Sequence, residues 1–365
     1  MTHKDVLTPG QHASLGFGNM RMPPALDHSI KMVDKYLDSG YNYFDTAYVY
    51  GGSEELLKKV LTTRHGRDSF MLADKLPPWE AKNQRDCERL FTESLTRCGV
   101  DYFDFYLAHS LDDGGEDGME NADVFGFIKK KKDAGYVKHM GFSFHGSTAY
   151  LERLLKRHPE TEFVMLQLNY DDILRGPAGE WQRMAIQYGV PIIAMEPVKG
   201  GSLAKLPAPA EALLRAHAPE RSIASWAIQY AAGLENVSVV LSGMSHMSQL
   251  EDNLHTFANH LKPLTPDEMK TLEQVMDEIK KVASIPCTTC KYCHPYCPVG
   301  IDIASCFSLY NGVKMGDVHW NRGNMYRALP AGKRAENCTA CGACLERCPQ
   351  KIDIVAGLKE VAGTF

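Results

Sequence analysis

The chain has 365 residues, of which 44% are hydrophobic and 23% charged, with a formal net charge of −5. That composition is ordinarily globular, and the length suits one large domain and one small one. The net negative charge argues against a nucleic-acid partner, and no apolar run reaches membrane-spanning length, so neither partner is expected.

The first residues, Met1-Thr-His-Lys-Asp, carry no signal-peptide pattern. Short apolar runs then recur at Leu15–Met20, Tyr43–Thr46, Phe70–Ala73, Phe103–Leu107, Val137–Phe142, Phe163–Leu168, Pro191–Met195 and Val237–Leu241. Longer segments with helical spacing lie between them; Leu26, Ile30, Val33 and Leu37 form one such stripe. Eight βα units over about 260 residues predict an α/β fold of the (β/α)8 TIM-barrel type. A doubly wound open sheet is the alternative, weakened because no G-x-G-x-x-G follows the first strand.

Chemistry in such a barrel sits at the carboxyl ends of the strands. Those ends supply Asp45 and Tyr50 in Phe44-Asp-Thr-Ala-Tyr-Val-Tyr-Gly51, Lys75 in Leu72-Ala-Asp-Lys75, and His109 in Phe105-Tyr-Leu-Ala-His109. Singly, each reads as an ion-paired or locally satisfied group; delivered by three consecutive strands to one face, they form a constellation. Arg21 after the first strand reads as a salt-bridge partner or as a cation for an anionic group. Asp112-Asp-Gly-Gly-Glu-Asp117 reads as a solvated loop, with a substrate gate as the alternative. Lys129–Lys132 reads as an exposed helix face, or as a dock for an acidic redox partner such as ferredoxin or flavodoxin.

FDTAxxYG together with the strand-end Lys and His resembles the aldo-keto reductase family over the first 280 or so residues. The resemblance implies an oxidoreductase acting on a small aldehyde or ketone. Tyr50 would be the general acid toward the carbonyl oxygen, Lys75 would stabilise its phenolate, and Asp45 would fix Lys75. His109 would orient the carbonyl or share in proton transfer. Expected nicotinamide contacts are Ser143 and Gln167 at the carboxamide and Met195 where many members place a stacking aromatic residue. The glycine-rich stretch with Lys199 and Gly201 reads either as a phosphate loop or as an ordinary loop. Ser242, Gly243, Gln249 and Asn253 would face the adenosine half. Gln249 stands where Arg is common, so NADH is as credible a donor as NADPH.

Thr265-Pro-Asp-Glu268 has the pattern of a helix start, with the helix ending near Ala283. That divides the chain into a barrel over 1–283 and a small α-helical ferredoxin-like domain over 284–365. Its cysteines form two copies of one spacing, Cys287-x2-Cys290-x2-Cys293-x3-Cys297-Pro and Cys338-x2-Cys341-x2-Cys344-x3-Cys348-Pro, 51 residues apart. This is the bacterial ferredoxin run, whose fourth cysteine ligates the other 4Fe–4S cluster. One cluster is then expected on Cys287, Cys290, Cys293 and Cys348, and the other on Cys338, Cys341, Cys344 and Cys297. Structural zinc is the alternative, but it has no use for a third regularly spaced cysteine before Cys-Pro. Cys87, Cys98 and Cys306 read as small buried hydrophobes. Ile303–Tyr310 reads as helix. One branch of the resembled family carries such an appended module, so the likeness spans the chain. A thiol-rich chain without an export signal is expected in the cytoplasm.

A hydride carries two electrons and a 4Fe–4S cluster passes one. Three readings follow: an NAD(P)H-dependent carbonyl reductase, a reductase of carbonyls or activated alkenes fed through the clusters by a carrier protein, or a non-catalytic electron-transfer subunit.

Overall fold

The computed structural model describes residues 7, 13–114, 116–282, 284–314 and 319–365. The first five residues, Gly115 of the acidic stretch, and Ala283 at the expected boundary lie outside the described residues. The chain divides into two compact units, residues 1–197 with 225–264, and residues 198–224 with 265–365.

The first unit is a closed barrel of eight parallel strands: β1 (Ser14–Gly18), β2 (Tyr43–Asp45), β3 (Met71–Leu76), β4 (Phe103–Leu111), β5 (Val137–Phe144), β6 (Phe163–Gln167), β7 (Ile192–Met195) and β8 (Val237–Ser242). Each pairs with its sequence neighbour, and β8 returns to β1 with Leu15 opposite Val240. The helices up to β7 are α1 (Leu26–Asp38), α2 (Ser53–Leu57), α3 (Gln84–Cys98), α4 (Glu116–Asn121), α5 (Val124–Asp133), α6 (Thr148–Arg157), α7 (Tyr170–Arg175) and α8 (Ala178–Gln187). They are followed by α9 (Ala208–His217), α10 (Ile223–Ala232) and α11 (Met247–Asn259). Alternate strand residues point inward, so Tyr43, Ala73, Phe105, Leu107, Phe163, Met165, Ile193, Val239 and Leu241 fill the barrel as one buried cluster. The opposite faces of the strands carry Phe44, Leu72, Tyr106 and Phe142, which are also buried, as expected of a parallel sheet.

The acidic stretch read as a loop runs into α4 at Glu116, so that among its acids Asp112 and Asp113 lie ahead of the helix. Asp113 accepts from the backbone N–H and the hydroxyl of Ser147 and so caps the start of α6. The lysines of α5 are engaged as well. Lys131 pairs with Glu88 and lies over the rings of Phe91, Phe127 and Tyr136, and Lys132 pairs with Glu162. Such lysines bury their stems and keep their heads paired.

In the second unit, α12 (Pro266–Lys280) starts with a reciprocal capping box between Thr265 and Glu268. It packs on α9, with Arg221 bonding Glu268 at 2.8 Å and His217 meeting Thr271 at 3.0 Å. Beyond it α13 (Ile303–Lys314), α14 (His319–Ala328) and α15 (Ile354–Thr364) enclose a small core of Ile303, Phe307, Leu309, Ile354, Leu358 and Val361. Cys306 is fully buried there, and Cys87 and Cys98 are fully buried in the first unit. Among the described residues no helix is long and apolar enough to cross a membrane.

Candidate active site and cysteine cavities

Asp45 ends β2, Lys75 stands one residue before the end of β3, and His109 lies late in β4, so register alone brings them to the carboxyl face. Lys75 is 1% exposed. Its Nζ donates to Asp45 Oδ1 at 2.5 Å and to the Thr46 carbonyl at 2.7 Å. A buried ammonium needs such partners, since the desolvation of each ion costs several kcal/mol. Burial pushes the Asp45 carboxyl up, and the Lys75 charge pulls against it. Asp45 Oδ2 is buried with no hydrogen-bond partner among the described residues. Asn19, 2% exposed, donates to the carbonyls of Phe17 and Asp45 and ties the ends of β1 and β2 together.

Tyr50 follows in the turn after β2, where its N–H donates to the Ala47 carbonyl. The Lys75 Nζ lies 4.9 Å from its ring centroid. The His109 ring stands edge-on to it at 5.6 Å and 81°. Burial, then the charges of Lys75 and His145, hold the His109 imidazolium well below its ordinary range. His109 is therefore a neutral ring at pH 7. Directly after it Ser110 takes φ 54, and the β4–β5 register shifts there. The Ser110 N–H donates to Ser143 Oγ at 2.7 Å. A left-handed non-glycine residue beside a site histidine marks strain held by its surroundings.

Behind Lys75 lies a buried acidic knot. Asp74 Oδ1 accepts from the Lys75 N–H at 2.7 Å, and Cys98 Sγ lies 3.7 Å from Asp74 Oδ2. Burial and the neighbouring Glu54 push the Asp74 carboxyl well up. Sequence reading missed this knot because its members lie 20 or more residues apart in sequence. It also missed Trp79, whose ring is 5.5 Å from His109 at 41% exposure. The Pro77-Pro78-Trp79 turn, four residues past Lys75, was the available signal.

Ser143 and Gln167 are buried at the ends of β5 and β6, and Gln167 donates to Asp172 at 2.5 Å. Met195 packs against the barrel's interior cluster. Asn253 donates to Ser242 Oγ at 2.9 Å, and a Cβ on Gly243 would stand 4.0 Å from the Gly18 carbonyl oxygen, an ordinary contact. Gln249 turns back on its own helix. Its Oε1 accepts from Ser245 N–H at 2.8 Å and His246 N–H at 3.2 Å, capping α11. Lys199 and Gly201 fall in the second unit.

The eight motif cysteines surround two cavities. Cys287, Cys290, Cys293 and Cys348 line one, and Cys297, Cys338, Cys341 and Cys344 line the other. Each run thus contributes three sulfurs to one cavity and its fourth to the other. The repeat extends to the backbone: Thr289, Lys291 and Gly300 have positive φ, and so do Ala340, Gly342 and Lys351, each 51 residues on. These turns aim backbone amides inward; Thr289 N–H lies 3.4 Å from Cys287 Sγ and Ile301 N–H 3.3 Å from Cys297 Sγ. Burial, with three neighbouring thiols, pushes Cys293 and Cys344 up. A bound iron cluster reverses that, since a coordinating thiol is deprotonated outright. Four converging sulfurs with inward amides suit a thiolate-held iron–sulfur cluster.

Comparison with known proteins finds the aldo/keto reductase family over residues 14–277 and a 4Fe–4S dicluster domain over residues 286–352. An uncharacterised oxidoreductase of Bacillus subtilis, YqkF, is 24% identical over 295 residues, covering 72% of this chain and 92% of its own length. L-galactose dehydrogenase of Arabidopsis thaliana is 25% identical over 296 residues, covering 74% and 92%. Among solved structures, the holo form of aldo-keto reductase AKR11C1 from Bacillus halodurans superposes with a TM-score of 0.60 at 24% identity, covering 74% of this chain and 95% of that one. An aldo/keto reductase of Klebsiella pneumoniae in complex with NADP and acetate gives 0.60 at 20%, covering 72% and 91%.

Proposed function

The chain belongs to the aldo/keto reductase family, and on that premise we propose that it reduces an aldehyde or ketone to the alcohol with NADPH or NADH, with Tyr50 as general acid. The observation that carries this reading is the Tyr50 ring flanked by the Lys75 ammonium and the neutral His109, with Lys75 held by a buried Asp45. The nucleotide, when bound, supplies a hydride to the carbonyl carbon. Tyr50 passes its phenolic proton to the carbonyl oxygen, so two electrons and two hydrogens are accounted for. The phenolate left behind is stabilised by the Lys75 charge and regains a proton from solvent. His109, being neutral, can donate one ring N–H to the carbonyl oxygen and orient it. Ser143, Gln167, Met195, Ser242, Gly243 and Asn253 would hold the nucleotide. Gln249 brings no positive charge for a 2′-phosphate, which supports NADH as an alternative to NADPH.

The second unit would hold two 4Fe–4S clusters in the crossed sets that line its cavities. A second reading, in which reduced ferredoxin or flavodoxin feeds electrons through these clusters, is favoured by Cys341, the one exposed member of the eight. Anaerobic holoprotein is assayed with a panel of aldehydes and ketones, following oxidation of NADPH and NADH. A parallel arm supplies reduced ferredoxin or flavodoxin without nucleotide. Tyr50→Phe is expected to lose about 10²–10⁴-fold in turnover while keeping nucleotide affinity. Unchanged turnover in Tyr50→Phe refutes the role of Tyr50, and turnover in the carrier arm alone replaces the nucleotide reading with the second.

A further inference from the structure

The strands β3 and β4 pair with Asp74 opposite Tyr106. Side chains alternate along a strand, and Ala73, Phe105 and Leu107 point into the barrel, so Asp74 and Tyr106 share its outer face. Helix α3 covers that face and also touches α2. Ser94 and Cys98 stand four residues apart on one side of α3, both fully buried. Glu54, in the first turn of α2, reaches the same place. Two carboxyl groups, a thiol, a phenol and a hydroxyl are thus shut in together, none of these residues more than 2% exposed.

Arg97 pairs with Glu54 Oε2 at 3.1 Å. Glu54 Oε1, Ser94 Oγ and Tyr106 Oη are buried with no hydrogen-bond partner among the described residues. Burial, then the charges of Asp74 and Glu54, push the Tyr106 phenol well up, which sets its hydroxyl beside the two acids. Buried polar atoms are normally satisfied, and three left over in one enclosure call for a partner that the surrounding side chains do not supply. The spacing says what kind. One ligand atom each from Glu54, Asp74 and Cys98 lie within 4.8 Å of one another. Cys98 Sγ stands 3.7 Å from Asp74 Oδ2. A tetrahedral zinc ion, with its usual bond lengths, separates a sulfur from an oxygen ligand by about 3.5 Å. Calcium and magnesium take six or more oxygens and have no use for a thiolate, whereas zinc accepts both donor types.

We propose that Glu54, Asp74 and Cys98 bind a zinc ion in the wall of the barrel, with the Tyr106 hydroxyl available as a fourth, oxygen ligand. The site uses none of the eight motif cysteines. As the metal–ligand bonds form, the thiol and any protonated carboxyl give up their protons to solvent, and no oxidation state changes. Arg97 keeps its bond to the other oxygen of Glu54 and holds that carboxylate in place, as outer partners of metal ligands do. The closed surroundings make the ion structural: it ties α2, β3 and α3 together. It does so one residue from Lys75, whose N–H donates to Asp74 Oδ1.

A site this enclosed takes its ion during folding, so the test uses full-length protein expressed with added zinc and purified anaerobically with full iron content. Elemental analysis should find about one zinc ion per chain beside the iron. Zinc-edge X-ray absorption should show a single sulfur at about 2.3 Å and oxygens at about 2.0–2.2 Å. Cys98→Ala is expected to retain at least about tenfold less zinc. Cys87→Ala, on the same helix but outside the group, should retain as much as wild type. Folded wild type without zinc overturns the proposal and leaves a pair of acids bridged by a proton. A shell of sulfurs alone overturns it too, because that ion sits on motif cysteines. So does Cys98→Ala with undiminished zinc and an unchanged spectrum. If Cys98→Ala fails to fold, Glu54→Gln, which keeps the shape of the side chain, takes its place in the comparison, and the wild-type spectrum decides in either case.

Discussion

Replacing Lys75 by methionine removes a charge while keeping most of the volume of the side chain, so the cost is electrostatic rather than a cavity. The pair it breaks is almost fully buried, with side-chain exposures of 1% for Lys75 and 2% for Asp45. Removing one partner of such a pair costs about 3–5 kcal/mol, because the other charge stays buried and unpaired. At a slope of roughly 3 kcal/mol per M, the urea midpoint should fall by more than ~1 M. The cost should also depend on pH. Burial already pushes the Asp45 carboxyl up, and in Lys75→Met nothing pulls it back. Its folded pKa then lies further above the unfolded value of about 3.9, so the folded variant binds the proton more tightly than the unfolded chain. Stability of the variant relative to wild type should therefore drop as pH rises above the unfolded value of about 3.9. Urea unfolding followed by tryptophan fluorescence suits the test, since Trp79, Trp181 and Trp226 all lie in the barrel unit. The double variant Lys75→Met with Asp45→Asn should recover much of the loss. A penalty below ~1 kcal/mol, or a double variant no better than the single, would refute the claim that this pair is a desolvated unit.

The remaining predictions concern other parts of the molecule. Cys290→Ala with Cys348→Ala should keep one cluster, because both residues line one cavity, whereas Cys290→Ala with Cys344→Ala should lose both; iron content and EPR of the reduced proteins decide, and loss of both clusters in the Cys290/Cys348 variant as well would mean uncrossed ligation. His109 should stay neutral well below pH 6.5, visible as a flat NMR titration of its ring, and its lowered folded pKa stabilises the fold above the unfolded value of about 6.5 and withdraws that stability as pH falls below it. Gly141→Ala should destabilise the barrel by at least ~1–3 kcal/mol in the same urea assay, since the new Cβ would press on the Phe163 carbonyl oxygen and stand 2.8 Å from its ring.

The barrel was legible because a parallel sheet covered on both faces leaves short apolar runs, and all eight runs coincide with strands to within a few residues. The positions of Asp45, Lys75 and His109 followed from the same runs, since a strand's carboxyl end is readable once the strand is. Partnering was less readable. The sequence reads Ser143 and Gln249 as nucleotide contacts; in the fold one supports the bend after His109 and the other caps α11, and neither bond leaves a periodicity in sequence. The lysines of α5 show the same limit: Lys131 meets Glu88 and three rings, partners that only packing brings near. Least readable of all was that residues 198–224 belong with the cysteine-bearing unit, because their spacing is that of any barrel helix and only contact with α12 and Thr288 sets them apart.

That assignment means the polypeptide passes between its units three times, after Pro197, Ala224 and Leu264. On a ribosome, α9 emerges before β8 and α11, and its partner α12 only after them. The earlier piece must therefore wait, partly unpaired, through the synthesis of residues 225–264, and Thr288, whose backbone lies against Gly200, arrives later still. The cysteine-bearing unit is thus not a detachable tail: one cut cannot separate it from the barrel's own continuity.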